Sequence, residues 1–286
     1  MKIQNIYNKV SKRIEDFKDH PLTKNEIGKA VFRYVSFNTI QNLNPRERVY
    51  NWVDYLRFYA QKGDAGIVAN IYFKLFDYED SMFLIHHLKK NDLFIDVGAN
   101  VGHYSLLAAG LCNCNVMAFE PIPLTFSKLN RNVKLNNLSH KLKTYNIGIG
   151  DENIYLNFTV NNDVMNSVAL EHETDIVKIK VKKLDDILKD KSPVFLKIDV
   201  EGFEYFVLKG ASKTLSNASL KYIIIEMNYS TLKFGHTNQE IFNFLISYDF
   251  IPIQYDVTNR RINFVESYNI DKFNTIFIRK NLVSEK

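Results

Sequence analysis

The chain has 286 residues, 46% of them hydrophobic and 13% aromatic, and a formal net charge of +5. That is enough for one large domain or two small ones, and no apolar run approaches the ~20 residues that span a bilayer, which argues against a helical membrane protein. The opening "MKIQNIYNKVSKRIEDFKDH" threads charges through its apolar residues and has no secretory-signal core, so the expected location is the cytoplasm.

Residues 1 to 65 read as a helical N-terminal cap, and 66 to 286 as the main domain. Residues 1 to 62 hold 12 Lys and Arg against 6 Asp and Glu, while the rest is near neutral. Such a basic segment could attract a phosphorylated or anionic partner, and a solvated helical face explains it equally. No basic patch interleaved with aromatics appears, so no nucleic-acid partner is expected. From residue 79 onward, short Ile-, Val- and Phe-rich runs alternate with helical patterns, as in a parallel sheet covered by helices on both faces. A helix near 79–90 precedes the strand 93–99, a helix follows in "HYSLLAAGL", and the strand 115–121 comes next. A helix spaced by Leu124, Leu129, Val133, Leu135 and Leu138 leads to a strand over 142–150. Residues 152–183 break the rhythm: "IYLNFTV", "NSVALEH" and "IVKIKVKKL" predict an inserted antiparallel hairpin region. The alternation resumes with strand 194–199, a helix from about Phe203, strand 222–228 and a helix over 238–250. "FIPIQYD" and "NTIFIRK" are expected to pair antiparallel at one edge. Cys112 and Cys114 are too close for an unstrained disulfide and too few for a zinc site, so they read as reduced structural thiols.

Gly98 follows the first strand of this alternation directly, and Gly102 opens the next helix, a place where backbone approaches a ligand closely. A dinucleotide turn would carry a glycine where this chain has Asn100, which points away from pyrophosphate toward a smaller anionic group such as an amino-acid carboxylate. Asp96, just before the turn, could pair with a ligand ammonium. Glu120 lies 22 residues beyond Gly98, near the offset at which an acid reaches ribose hydroxyls. Carboxylate, ammonium and ribose together describe S-adenosylmethionine.

In open parallel sheets the ligand crevice lies beyond the carboxyl ends of the strands. Asp199, Glu201 and Glu226 fall at such ends and are the candidate catalytic acids. Glu204 reads instead as a first-turn residue complementing a helix dipole. Lys197, two residues before Asp199, points to the same face and either pairs with it or snorkels.

"FIDVGANVG", "AFEP", "NRNVKLNNL" and above all "LKIDVEGFEYFVLKGA" closely resemble the FkbM family of S-adenosylmethionine-dependent methyltransferases, over roughly residues 78 to 228. The resemblance implies a seven-stranded class I methyltransferase sheet, Rossmann-like and mostly parallel with an antiparallel edge strand, and methyl transfer to oxygen, often on a sugar or natural-product hydroxyl. By position, Asp96, Gly98, Asn100 and Gly102 would hold the methionine part, Glu120 the ribose, and the turn from Asn146 to Gly148 the adenine. "DYED" departs from the family's Tyr-Glu-Pro lead-in, since Asp80 stands where the proline would be.

For an alcohol to attack a sulfonium methyl, its proton must be taken as it attacks, and Asp199 is the first candidate base, with Glu201 and Glu226 next. A divalent metal such as magnesium on the same three acids is the alternative. His103, Tyr229 and His236 are candidate acceptor contacts, whereas His86 and His87 read as structural. The expected partner is a small molecule, a sugar of a surface polysaccharide or its nucleotide-linked precursor. A nicotinamide oxidoreductase and a non-catalytic S-adenosylmethionine-binding protein are the rival readings.

Overall fold

The computed structural model describes residues 2–160, 167–170 and 173–283. The chain divides into two compact units, Met1–Tyr78 and Glu79–Lys286. Among the described residues no helix is long and apolar enough to cross a membrane.

The first unit holds α1 (Lys2–Asp19), α2 (Ile27–Leu43), β1 (Arg48–Asn51), β2 (Arg57–Ala60) and α3 (Ala65–Phe73). Phe17 meets Phe73 edge-on at 4.9 Å, and Phe37, Leu56 and Phe58 are buried with them. Glu26 ties this core's rim together by pairing with Arg33 and Lys74. The antiparallel β1–β2 hairpin departs from a wholly helical segment. Its cause is local: "RVYN" and "RFYA" alternate exposed and inward positions with β-favouring Val, Tyr and Phe, and Asp54 takes the left-handed turn conformation between them (φ 51°).

The second unit runs α4 (Tyr78–His87), β3 (Leu93–Val97), α5 (His103–Gly110), β4 (Asn115–Phe119), α6 (Pro123–Leu135), β5 (Leu142–Tyr145), β6 (Gly148–Ile149), β7 (Tyr155–Thr159) and β8 (Ile176–Lys182). It continues with α7 (Leu184–Leu188), β9 (Phe195–Ile198), α8 (Glu204–Lys209), α9 (Ser212–Ser216), β10 (Tyr222–Glu226), α10 (Asn238–Ser247), β11 (Phe250–Asp256), β12 (Arg261–Phe264) and β13 (Asn274–Arg279). The main sheet has eight strands in the order β12-β11-β13-β10-β9-β3-β4-β5. β5, β4, β3, β9 and β10 are parallel, and β13 enters antiparallel between β10 and β11. Strand order therefore reverses between β3 and β9, where an open sheet of this kind leaves its ligand crevice.

Three expectations change. The sheet has eight strands instead of seven because Arg261–Phe264 adds β12 outside β11; the segment is largely exposed and only four residues long, too short for its polar–apolar alternation to stand out. "FIPIQYD" is thus not the edge. Residues 142–150 make two strands, not one: the Asn146 amide donates to the carbonyls of Glu120 (2.9 Å) and Pro121 (2.7 Å). Beyond it the chain leaves the main sheet, and β6 joins a three-stranded sheet, β6-β8-β7. There β7 and β8 pair antiparallel as expected, but "NSVALEH" forms no described strand: Val168 makes an isolated bridge to Phe158, and 161–166, 171 and 172 lie outside the described residues.

The two faces of the sheet do different things. Ile95, Val97, Met117, Phe119, Leu196, Ile198, Ile223 and Ile225 turn to one side, where they join Leu184, Val207, Leu208, Leu215, Ile241 and Leu245 of α7–α10 in a continuous apolar core. The alternate positions, Phe94, Asp96, Phe195 and Lys197, face α4 and α5, where Phe83 packs edge-on against Phe195 at 5.8 Å. Asp96 and Lys197 are direct cross-strand neighbours, so this second core contains charge.

Candidate active site

β3 delivers Asp96 into a site 1% exposed, where the Ser105 hydroxyl donates to it at 2.5 Å. Burial, above all, pushes its pKa up to about 6. The turn that follows is left-handed at Gly98 (φ 81°), Asn100 (φ 48°) and Gly102 (φ 104°). At Gly98 the need for glycine is absolute, since a Cβ there would overlap the carbonyl oxygen of Asp199. The close approach inferred at this residue is therefore to the chain's own acid turn. Gly98 and Ala99 N–H both donate to Phe119 O at 3.0 Å, which locks the turn to the end of β4. Glu120, at that end, is 5% exposed and accepts from Asn100 N–H and Ile122 N–H, each at 2.9 Å. Burial outweighs these two amides and raises its pKa to about 7.

The second turn follows β9. Asp199 N–H donates to Val97 O at 2.9 Å. Glu201 takes φ 54°, strained for a residue with a Cβ, and Gly202 takes φ 105° where a Cβ would overlap Ser230 O. Glu204 Oε1 holds this turn by accepting from Val200 N–H (3.0 Å) and Gly202 N–H (3.2 Å). Its role is thus to staple the turn, more than to complement the short helix it begins. Glu204 is 1% exposed, and its Oε2 and that of Glu226 are buried without a hydrogen-bond partner. One carboxylate oxygen each from Asp199, Glu201 and Glu226 lies within 4.8 Å of the others. Burial and then the neighbouring acids push Glu201 up to about 7 and Glu226 up to about 10, and burial pushes Glu204 up to about 7.

Lys197 settles its own alternatives by pairing. It is 1% exposed and donates to Asp199 Oδ2 at 3.1 Å and to Asn274 Oδ1 at 3.2 Å. Asn274 in turn donates to Asp80 Oδ2 at 2.8 Å, so the residue standing in place of the family's proline ends a buried polar chain. Burial alone would lower the Lys197 pKa, but Asp199, Glu226 and Asp80 outweigh it and hold it raised.

Asp96, Gly98, Asn100, Gly102 and Glu120 thus come together with Asp199, Glu201 and Glu226 at the reversal point of the sheet. Asn146 is exposed, with its amide committed to the end of β4. His103 hydrogen-bonds Ser81 Oγ at 2.9 Å, and burial, helped by Lys197, lowers its pKa to about 3, so it is a neutral buried group. Tyr229 is 87% exposed. His236 stacks on Tyr205 with centroids 3.8 Å apart and meets Phe206 at 5.0 Å. Sequence spacing had no means of finding Asn274 or Ser81, which act from other parts of the fold, while Ser105, nine residues after Asp96 on the helix that follows the glycine turn, was within local reach and was missed; the Lys197–Asp199 spacing of two was a real signal.

Six carboxyl groups, Asp96, Glu120, Asp199, Glu201, Glu204 and Glu226, lie at or next to the strand ends of this reversal point, where Lys197 is the only fully buried lysine among the described residues. Two of their oxygens are buried orphans. A cationic sulfonium ligand with ribose hydroxyls suits this donor set: it offsets the excess negative charge, and Glu120 is already oriented by two amides while keeping lone pairs to accept hydroxyls.

The methyltransferase FkbM domain matches residues 96–252, more than half of the chain. Methyltransferase 1 of Beauveria bassiana (strain ARSEF 2860) is 30% identical over 157 residues, which cover 46% of this chain and 63% of that protein. The hexuronic acid methyltransferase AglP of Haloferax volcanii is 26% identical over 148 residues, covering 51% of this chain and 59% of that one. The match therefore spans less than two thirds of either relative's length. Among solved structures, P. horikoshii TYW2 in complex with MeSAdo aligns with a TM-score of 0.43 at 16% identity, covering 82% of this chain and 72% of that chain.

Proposed function

The chain belongs to the FkbM methyltransferase family, and from that premise we propose that it transfers a methyl group from S-adenosylmethionine to an oxygen of a small-molecule acceptor, a sugar of a surface polysaccharide or its nucleotide-linked precursor. The observation that carries this reading is the contact at Gly98: the turn assigned to the donor and the turn bearing Asp199 touch backbone to backbone, with no space for a side chain between them. A donor on the first turn lies within reach of acids on the second.

S-adenosylmethionine supplies an electrophilic methyl carbon. Glu120, held by Asn100 and Ile122, would accept the ribose hydroxyls, Asp96 would receive the ammonium, and the Gly98–Gly102 turn, whose Gly98, Ala99, Asn100 and Gly102 amides are engaged within the protein, would meet the methionine carboxylate through Val101 N–H. Asn146 fixes the Glu120–Pro121 segment, beside which the adenine would be held. On the acceptor side Asp199 orients the hydroxyl and accepts its proton as the new bond to carbon forms. Glu201, raised to about 7, would be poised near neutrality to share that proton, and Glu226, raised to about 10 by burial and the neighbouring acids, would stand protonated beside it while no cation is bound. Tyr229 and His236 belong to the loop after β10 and would line the acceptor's approach, with His103 behind the donor turn as a neutral brace.

The hexuronic acid methyltransferase among its relatives supports a sugar acceptor. The test is a screen of hexuronic-acid glycosides, nucleotide sugars and bulk tRNA for release of S-adenosylhomocysteine. Release with a sugar is the expected result; release with tRNA alone would replace the sugar by a nucleic-acid acceptor, and calorimetry showing no affinity for S-adenosylmethionine would remove the reading altogether.

A further inference from the structure

We propose that Asp199, Glu201 and Glu226 hold a divalent cation of the magnesium or manganese class beside the donor turn, where it positions the acceptor oxygen. The three carboxylates come from separate pieces of backbone: the end of β9, the left-handed residue of the following turn, and the end of β10. One oxygen from each lies within 4.8 Å of the others. That span matches ligands on a shared ion, each at about 2.0–2.5 Å from the metal. All three residues are part-exposed, so an ion can enter from solvent.

A second observation, outside the three, points the same way. Glu204 is 1% exposed and is fastened through Oε1 to the amides of Val200 and Gly202, which bracket Glu201. Its Oε2 stays buried with no hydrogen-bond partner, as does Glu226 Oε2. Glu204 lies close enough for its charge to act on Asp199, Glu201 and Glu226 alike. Desolvated acceptor oxygens without donors are costly; a multivalent cation held by Asp199, Glu201 and Glu226 would engage Glu226 itself and offset the charge of the nearby Glu204. Lys197 does not fill this place. It is 1% exposed beneath the cluster, and its ammonium is shared between Asp199 and Asn274.

The ion's catalytic role rests on the methyl-transfer reading: bound next to the acceptor hydroxyl, it would lower that hydroxyl's pKa and so lighten the task of a carboxylate base. Its existence does not rest on that reading. The experiment titrates the full chain with Mn2+ near neutral pH, following free Mn2+ by electron paramagnetic resonance and adding Mg2+ as competitor. The expected result is one Mn2+ per chain, displaced by Mg2+, with affinity reduced at least about tenfold in both Glu226→Gln and Glu201→Gln. Calorimetry with S-adenosylmethionine on the same variants reports whether the crevice is still folded. A wild-type chain that binds S-adenosylmethionine but not Mn2+ overturns the cation and leaves methyl transfer standing. Equal Mn2+ affinity in the wild type and both variants also overturns it. Mn2+ binding that depends on Glu226 and Glu201, in a chain without affinity for S-adenosylmethionine, upholds the cation and removes the methyl-transfer reading instead.

Discussion

The turn after β3 and the turn after β9 meet at one crevice, yet they are built on opposite terms. The turn after β3 is closed on itself: Gly98, Ala99 and Asn100 all spend their amides on the end of β4, and each Glu120 oxygen accepts one amide. The acid-side turn is stapled by Glu204 Oε1, yet Glu204 Oε2 and, at the end of β10, Glu226 Oε2 are left buried without donors, and Glu201 takes a strained φ of 54°. The first half is shaped by backbone geometry and the second by electrostatics. Substitutions in the first should cost stability, and substitutions in the second should cost turnover while relieving the fold.

The sharpest way to break that contrast is Gly98→Ala. A methyl group has nowhere to go against Asp199 O, and φ 81° adds strain, so a loss of about 4 kcal/mol or more is expected in urea unfolding, with donor binding abolished. Next is Asp199→Asn, expected to lower turnover about 10²–10⁴-fold in an S-adenosylhomocysteine release assay while calorimetric affinity for S-adenosylmethionine survives. Wild-type turnover in that variant would take Asp199 out of the chemistry. Glu204→Gln should act in the opposite sense on stability. Glu204 titrates near 7 in the folded chain against an ordinary 4.5, so the folded state binds more protons between those values and stability falls as pH rises through that window. In donor-free, chelator-treated protein the variant should therefore match the wild type near the lower end and exceed it above the upper end by up to about 3 kcal/mol in denaturant titrations.

Smaller effects refine the picture. Gly102→Ala faces Leu129 Cδ1 at 2.8 Å, the movable end of a side chain, so its cost should be only about 1–3 kcal/mol, mostly from φ 104°. Binding a sulfonium beside Asp96, Glu120 and Glu201, which titrate near 6, 7 and 7, should expel protons. Affinity should then rise about threefold to tenfold across that pH interval and level off above it, with proton release visible by calorimetry in buffers of different ionisation enthalpy.

Much of this was legible in the sequence wherever the signal was local. Runs such as "FLKI" announced fully buried strands, and the glycine turn, Glu120 and the three acids were placed by their position at strand ends. What stayed hidden depends on residues far apart in the chain. Gly98 is required by Asp199, about a hundred residues on, and Asn274 reaches Lys197 across 77 positions. Glu204 looks like an ordinary first-turn acid until the amides of Val200 and Gly202 are seen to point at it. His103 looks available in a glycine-turn helix, but Ser81 and burial make it a silent neutral group. Arg261–Phe264 alternates polar and apolar over only four residues, too short a run to stand out by itself, whereas in the β1–β2 hairpin two such runs flank a turn.

The insertion of β13 between β10 and β11 has a bearing on how the molecule is made. Asn274, at its first position, pairs in register with Glu226 and also reaches Asp80, 194 residues earlier. During synthesis the parallel strands can assemble while this segment is still inside the ribosome, but Lys197 then lacks one of its two acceptors and the floor beneath the acids is unfinished. The nascent chain should thus pass through a stage with its first glycine turn formed and its acid cluster unset, and only the arrival of β13 completes it.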